Sequence, residues 1–454
     1  MSKPAKHTGV TSGEPIDSYL PSAGNRGYRV SRYELDLEYN VASNRLAGRA
    51  TVTATTVEPL ARLSFDLSPA LTVAKVTVNG ARAPKFAHRG GKLTITMPKP
   101  VPTGTALVVT VRYAGAPVPV HGPWGEVGWE ELAEGVLVAS QPNGASSWFP
   151  CDDHPSSKAS YRIELTCDSP YFAVANGILT GRRVRAAQTT WTYEQSEPMA
   201  AYLATIQIGE YERVAVPDSR VPGSVGPGAG VPMSAVLPPR LRKHFDRDFA
   251  RQPQMMEVFT DLFGPYPFPA YTVVVTADEL EIPIEAQGIS VFGANHCDGH
   301  GREERLVAHE LAHQWFGNSL TLRRWRDIWL HEGFACYAEW LWSERSGGPA
   351  THQLAAAAHA GLARLPQDLL PADPGPELMF DDRLYKRGAL VLHALRQGIG
   401  DRPFFDLLRE WTRKFRHATV TTEDFTDLAA HYAHQPLHPL WDAWLLSPAL
   451  PPLP

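Results

Sequence analysis

The sequence predicts a multidomain α+β protein. An N-terminal antiparallel β-sandwich or saddle is followed by a mostly helical domain with a small sheet. Three observations carry this. Apolar and polar residues alternate with period two again and again between Tyr28 and Arg213. A Pro/Gly-dense stretch from Pro217 to Pro232 then interrupts the chain. Beyond it, apolar residues fall mostly at helical spacing. The division expected is a flexible tail over 1–27, a β domain over 28–213 and a helical domain over 214–454. A length of 454 residues fits two or three domains.

The elements follow in order. Met1 to Arg26 is rich in Pro, Gly, Ser and Thr and lacks the apolar run of a secretory signal, so it reads as a tail. Tyr33 to Tyr39 alternates apolar with charged residues, as do Leu93 to Met97, Leu107 to Tyr113, Tyr161 to Leu165 and Thr190 to Tyr193. Asn79-Gly80 marks a tight turn between strands. Arg240 to Phe263 reads as helix, broken or restarted at Pro253. Tyr271 to Val275 is a strand of the fully buried type. Two helices are expected within 303–345 and another around Ala389 to Leu395. A last amphipathic helix is capped by Thr421 or Thr422.

Composition excludes several functions. A net charge of −5 gives no attraction to nucleic acid or to an anionic membrane. No run approaches the roughly 18 apolar residues of a membrane span. Cys151, Cys167, Cys297 and Cys336 show no paired spacing and read as reduced, packed thiols of a cytoplasmic protein.

The chemistry concentrates in His309-Glu310-Leu311-Ala312-His313 and, further on, Glu332. Histidines four apart stack on one helix face and can grip one ion. Glu332 supplies a third ligand. Two His and one Glu leave one tetrahedral position open, which is the layout of a catalytic zinc site holding one Zn2+ per chain. Glu310 follows the first ligand and stands where a general base must be. The flanks, Arg305 to Ala308 and Trp315-Phe316-Gly317, are largely apolar, so the polar groups are half-buried and need a reason to be there. His331 points about 100° away from Glu332 on a helix and reads as packing or as a support behind the ligands, with a metal contact as the alternative. Glu339 lies two turns beyond Glu332 on the same face, either as a partner of a ligand histidine or as an exposed helix residue. His296 and His300, around Cys297, read as polar loop residues, with a second metal site as the alternative.

With these motifs in place, the chain resembles the M1 family of zinc aminopeptidases, over about Tyr28 to Leu450. The zinc motif runs on into Gln314-Trp315-Phe316-Gly317-Asn318 and pairs with Trp329 to Ala335. Trp148 to Asp152 is similar to the family's F-P-C-x-D stretch, and Met199 to Leu203 to its M-S-T-Y-L strand. Leu384 to Ala389 is similar to its Y-x-K-G-A segment. The resemblance implies a thermolysin-like catalytic domain, with Tyr385 stabilising the oxyanion. On the residues alone, a helix tyrosine is more often core packing.

It also implies a carboxylate for the substrate's free ammonium. The family's G-x-M-E-N string corresponds here to Ile282 to Gly288, and Glu285 is the match, with Glu281 as competitor. A second ammonium contact falls on Gln141, with Asn143 as the alternative. The implied partner is a peptide with a free N-terminus. A thermolysin-type endopeptidase would not need Glu285 or Gln141, and a non-catalytic scaffold should have lost Glu310 or a ligand. Larger members of the family continue into an all-helical C-terminal domain. The expectation is therefore a short form with a more open cleft, as a monomer or a dimer, the dimer favoured by an apolar patch where that domain would dock.

Overall fold

The computed structural model describes residues 17–83, 85–216 and 230–454. The strands expected over the first half all form. Eight strands build one large sheet, in the order Ile178–Arg185, Gln188–Ala200, Lys158–Asp168, Tyr28–Asn40, Arg45–Thr56, Ala106–Gly115, Leu71–Val78 and Ala81–Arg82. Tyr33, Leu35, Leu37 and Tyr39 are buried on one face while Glu34, Asp36 and Glu38 lie on the other, as period two requires. Asn79 and Gly80 take positive φ (49° and 79°) in the expected hairpin turn.

The sheet is not wholly antiparallel. Tyr28–Asn40 and Lys158–Asp168 run parallel in its middle, which alternation along single strands could not reveal. A three-stranded sheet and a five-stranded sheet complete the β domain.

The second domain carries its own five-stranded sheet, in the order Glu212–Ala215, Met233–Leu237, Tyr271–Val275, Ile289–Phe292 and Ile284–Ala286. Its first strand straddles the boundary expected at 213/214. The turn-rich stretch expected over 217–232 lies largely outside the described residues. Helices follow as α1 (Arg242–Asp248), α2 (Gln252–Phe263), α3 (Glu304–Ala312), α4 (Trp329–Arg345), α5 (Thr351–Leu362), α6 (Asp382–Ile399), α7 (Asp401–Lys414), α8 (Thr422–Ala430) and α9 (His438–Trp444). Pro253 sits in the first turn of α2, where a missing N–H costs nothing, so it restarts the helix. Thr421 caps α8, its side chain accepting from Asp424 N. No helix among the described residues is long and apolar enough to cross a membrane. All four cysteines are buried and free.

The tail expected over 1–27 needs correction where it can be seen, since residues 1–16 lie outside the described residues. From Asp17 onward the chain is packed. Asp17 Oδ2 accepts from Trp325 N (2.8 Å). The Tyr19 hydroxyl donates to Asp373 and accepts from Gly375 N (2.6 Å). Gly24 N donates to Asp66 (3.0 Å) and Asn25 N to Asp152 (2.7 Å). One arm thus grips both domains. Lys158, on the large sheet, adds a second bridge by donating to the carbonyls of Asn318 (3.0 Å) and Ser319 (2.8 Å), just beyond α3.

The segment after α9 folds back on the helices. Leu450 N donates to Gln367 (3.1 Å), and His359 Nε2 meets Pro451 O at 2.7 Å. Leu450 and Leu453 pack against the core. The exposed large apolar residues of this region are Leu365 and Leu446.

Candidate active site

Helix α3 brings His309 and His313 together one turn apart. His313 closes the helix but keeps helical dihedrals (φ −55°, ψ −24°), so both rings project from one face. Glu332, in the first turn of α4, faces them. Its Oε2 lies 3.5 Å from the Nε2 of each histidine. One ligand atom from each of the three residues falls within a 4.8 Å cluster. The other ring nitrogens are anchored. His309 Nδ1 meets Glu339 Oε1 at 2.7 Å, and His313 Nδ1 meets Phe316 O at 3.0 Å. Such outer bonds fix which nitrogen faces the ion.

Glu339 is buried rather than on the helix surface, and Arg305 Nη1 holds both of its oxygens (3.0 and 3.1 Å). Sequence reasoning missed Arg305. Its only signal was its place one turn before His309. It likewise missed Gln314 and Asn318, whose side-chain amides donate to Ala286 O (3.2 and 2.9 Å) and clamp the edge strand beside the zinc helix.

That edge strand, Ile284–Ala286, forms without the glycine and asparagine of the family string. It carries Glu285, which belongs to a second 4.8 Å cluster with Glu310 and His313. Glu281 is exposed and stands outside both clusters. Of the two carboxylates, Glu285 is the one that lies beside Glu310 and His313. Glu310 is buried, and its Oε2 has no hydrogen-bond partner among the described residues. The Tyr385 ring, in the first turn of α6, stacks over His309 (centroids 6.1 Å apart, planes at 12°).

Helices α4 and α6 can bring Glu332 and Tyr385 to one place because Gly333 and Gly388 meet at their crossing. A Cβ on Gly333 would lie 2.7 Å from Gly388 Cα. His331 is buried and accepts from Leu322 N (2.9 Å). Burial pushes its pKa down to about 3, so it is a neutral packing residue, as expected.

Gln141 lies in the turn after the strand Gly135–Ala139, and its Nε2 is buried without a partner among the described residues. No hydrogen bond joins it to the zinc residues among the described residues. His296 accepts from Gly293 N (3.1 Å) and joins no metal cluster among the described residues.

The cluster's charges call for a cation. Burial opposes protonation of both histidines, yet Glu332 and Glu339 raise His309 to about 10, and Glu332 and Glu285 raise His313 to about 9. Burial likewise opposes the Glu332 anion, but His313 and His309 hold its carboxyl far below the usual range. Burial lifts Glu310 to about 7 against the pull of the same two histidines. Four carboxylates (Glu285, Glu310, Glu332 and Glu339) around two imidazoles, with one carboxylate oxygen orphaned among the described residues, suit a divalent ion with N/O preference.

Comparison with known proteins decides the family. The profile described as "Peptidase M1 N-terminal domain" matches residues 30–203, and that of the "Peptidase family M1 domain" matches residues 248–444. The chain is also 32% identical to the M1 zinc metallopeptidase of Deinococcus radiodurans. It covers 96% of this chain and 98% of that one, with a TM-score of 0.87.

The chain belongs to peptidase family M1.

A variant of the same Deinococcus M1 peptidase has been solved with a Tyr-Ser-Ala substrate bound. Among curated M1 relatives, human endoplasmic reticulum aminopeptidase 1 is 24% identical over 88% of this chain, and rice aminopeptidase M1-B 26% over 67%. The chain spans 45% and 36% of their respective lengths. Zinc is the metal of the family, and His309, His313 and Glu332 supply the donor set it takes.

Proposed function

We propose that the protein is a zinc-dependent aminopeptidase, removing N-terminal residues from peptides with a free α-ammonium. The observation that carries this reading is the Glu285 carboxylate, set within 4.8 Å of Glu310 and His313 on an edge strand. With His309, His313 and Glu332 holding the metal and Glu310 taking the proton, this carboxylate is left over from both tasks. It is the group a substrate ammonium would need. The tripeptide bound by the Deinococcus relative supports a short peptide as substrate.

When bound to His309, His313 and Glu332, zinc supplies a Lewis acid that polarises a carbonyl oxygen and lowers the pKa of a water to about 7. Glu310 takes the proton of the attacking water through its unpartnered Oε2 and delivers it to the departing amine. Tyr385, stacked over His309, donates its hydroxyl hydrogen bond to the oxygen on which charge develops. Glu285 and, through its side-chain carbonyl, Gln141 receive the ammonium, so that cleavage falls after the first residue and the carbonyl is held in place. Glu339 and Arg305 keep the His309 ring in register. Buried free thiols support a cytoplasmic location, with the protein acting as a monomer or a dimer.

Hydrolysis of a tripeptide and its N-acetylated twin by the zinc-loaded protein tests the reading. Cleavage of the free peptide should dominate, and Glu285→Gln should lower its kcat/KM by about 10- to 100-fold, the worth of a hydrogen bond to a charged group. Equal rates on both peptides would instead establish an endopeptidase.

A further inference from the structure

Among the described residues no hydrogen bond anchors the Tyr385 hydroxyl, so its place depends on how the first turn of α6 is held. Gly388 seats that turn against α4. A second hold comes from behind. Arg387 lies two residues after Tyr385, about 200° around the helix, and so on the far side of the turn. It is 3% exposed. Its guanidinium donates to Pro448 O (2.6 Å), Ser447 O (2.9 Å), Ala449 O (3.4 Å) and Leu369 O (3.5 Å). No carboxylate pairs with it among the described residues. Burial without a countercharge brings its pKa down to about 10, still cationic at neutral pH.

A buried cation that meets only carbonyls, with its Nε left unpartnered among the described residues, is expensive where stability alone is needed. What it gains here is geometry, because a planar fork can engage successive carbonyls of one extended segment, which a point charge cannot. That segment is itself pinned on either side. Leu445 O accepts from Ala372 N (3.2 Å), and Leu450 and Pro451 are held by Gln367 and His359.

We propose that Arg387 is a positioning residue for Tyr385. By clasping Ser447–Ala449 against the back of α6, it fixes where the tyrosine hydroxyl meets the developing oxyanion. This rests on the role of Tyr385 given above.

The test uses the full zinc-loaded chain with an aminoacyl-4-nitroanilide, comparing Arg387→Met, Tyr385→Phe and the double variant. Arg387→Met should lower kcat by about tenfold or more, with KM within about twofold and one zinc still bound per chain. The double variant should match Tyr385→Phe within about twofold, because Arg387 acts through that hydroxyl. Arg387→Lys should recover part of the loss. A chain ending at Leu446, which removes the clasped segment and leaves Arg387 intact, should repeat both the loss and the non-additivity, and it serves if Arg387→Met does not fold. Losses that multiply in the double variant would overturn the proposal, as would wild-type kcat in the shortened chain. Wild-type kcat in Tyr385→Phe alone would instead remove the role of Tyr385 itself.

Discussion

Alanine at Gly333 would strike the contact that brings α4 and α6 together. Its Cβ would lie 2.7 Å from Gly388 Cα and 2.8 Å from the Gly388 carbonyl carbon, where ordinary contact begins at 3.4 Å. The backbones must therefore separate by about 0.7 Å, the difference between 3.4 and 2.7 Å. Both obstacles are backbone atoms inside helices, so no side chain can turn aside. Glu332 precedes Gly333, and Tyr385 lies one turn before Gly388, so the separation passes straight into the distance between ligand and tyrosine. A displacement approaching 1 Å costs about 100-fold in rate, and the overpacking about 1–3 kcal/mol in stability. The expected result for Gly333→Ala is kcat lower by about 10- to 100-fold, with one zinc retained per chain and a lower Tm. Gly361→Ala is the control. Its Cβ on α5 meets nothing within 4 Å, so stability should rise by about 0.5–1 kcal/mol with kcat unchanged. A Gly333→Ala protein with kcat within about twofold of wild type and zinc bound would refute the reasoning.

Two further outcomes follow from groups outside the ligand set. Glu339→Gln replaces the carboxylate that holds His309 Nδ1, so zinc affinity measured by chelator competition should fall by about 10- to 100-fold, and an unchanged Kd would show that His309 needs no anchor. Burial without a countercharge takes the Lys158 pKa down from 10.5 to about 7. Between those values the unfolded chain binds the extra proton, so wild-type stability should rise with pH from about 7 to 10.5, by up to about 1.4 kcal/mol per unit, and stay level below that window. Denaturant titrations of Lys158→Met should lose this slope, and parallel curves for the two proteins would contradict the assignment.

The parts of the fold legible in the sequence are those where a local period meets one burial surface. Tyr33, Leu35 and Leu37 announce their strand because every second side chain must leave water. His309 and His313 announce the metal because helix geometry alone brings them together. Glu339 was half legible, since its face follows from the period but its depth depends on α3 packing over it. Glu285 and Glu281 could not be separated by alternation, four residues apart on one short segment. Only the pairing of Glu285 with Ser290 turns its carboxylate toward the zinc helix. The stretch 17–27 misled because its Pro, Gly and Ser content matches a free tail, while its burial is set by partners as distant as Trp325 and Asp373. Arg387 showed only as the basic residue of the Leu384–Ala389 match, and its role stayed hidden because the carbonyls it holds come from a segment without period or side-chain chemistry.

The N-terminal arm also imposes an order of events during synthesis. The bond from Trp325 N to Asp17 spans 308 residues, and that from Tyr19 to Asp373 spans 354. At roughly 5–20 residues per second, the arm leaves the ribosome about 15–60 s before its first distant partner exists. Its contacts with Asp66 and Asp152 can form early, once the β domain has been made. Asp17 and Tyr19 must wait, so they are the last part of the arm to lock. Until they do, a nascent chain with a finished β domain still displays an unseated amino-terminal end to proteases and chaperones.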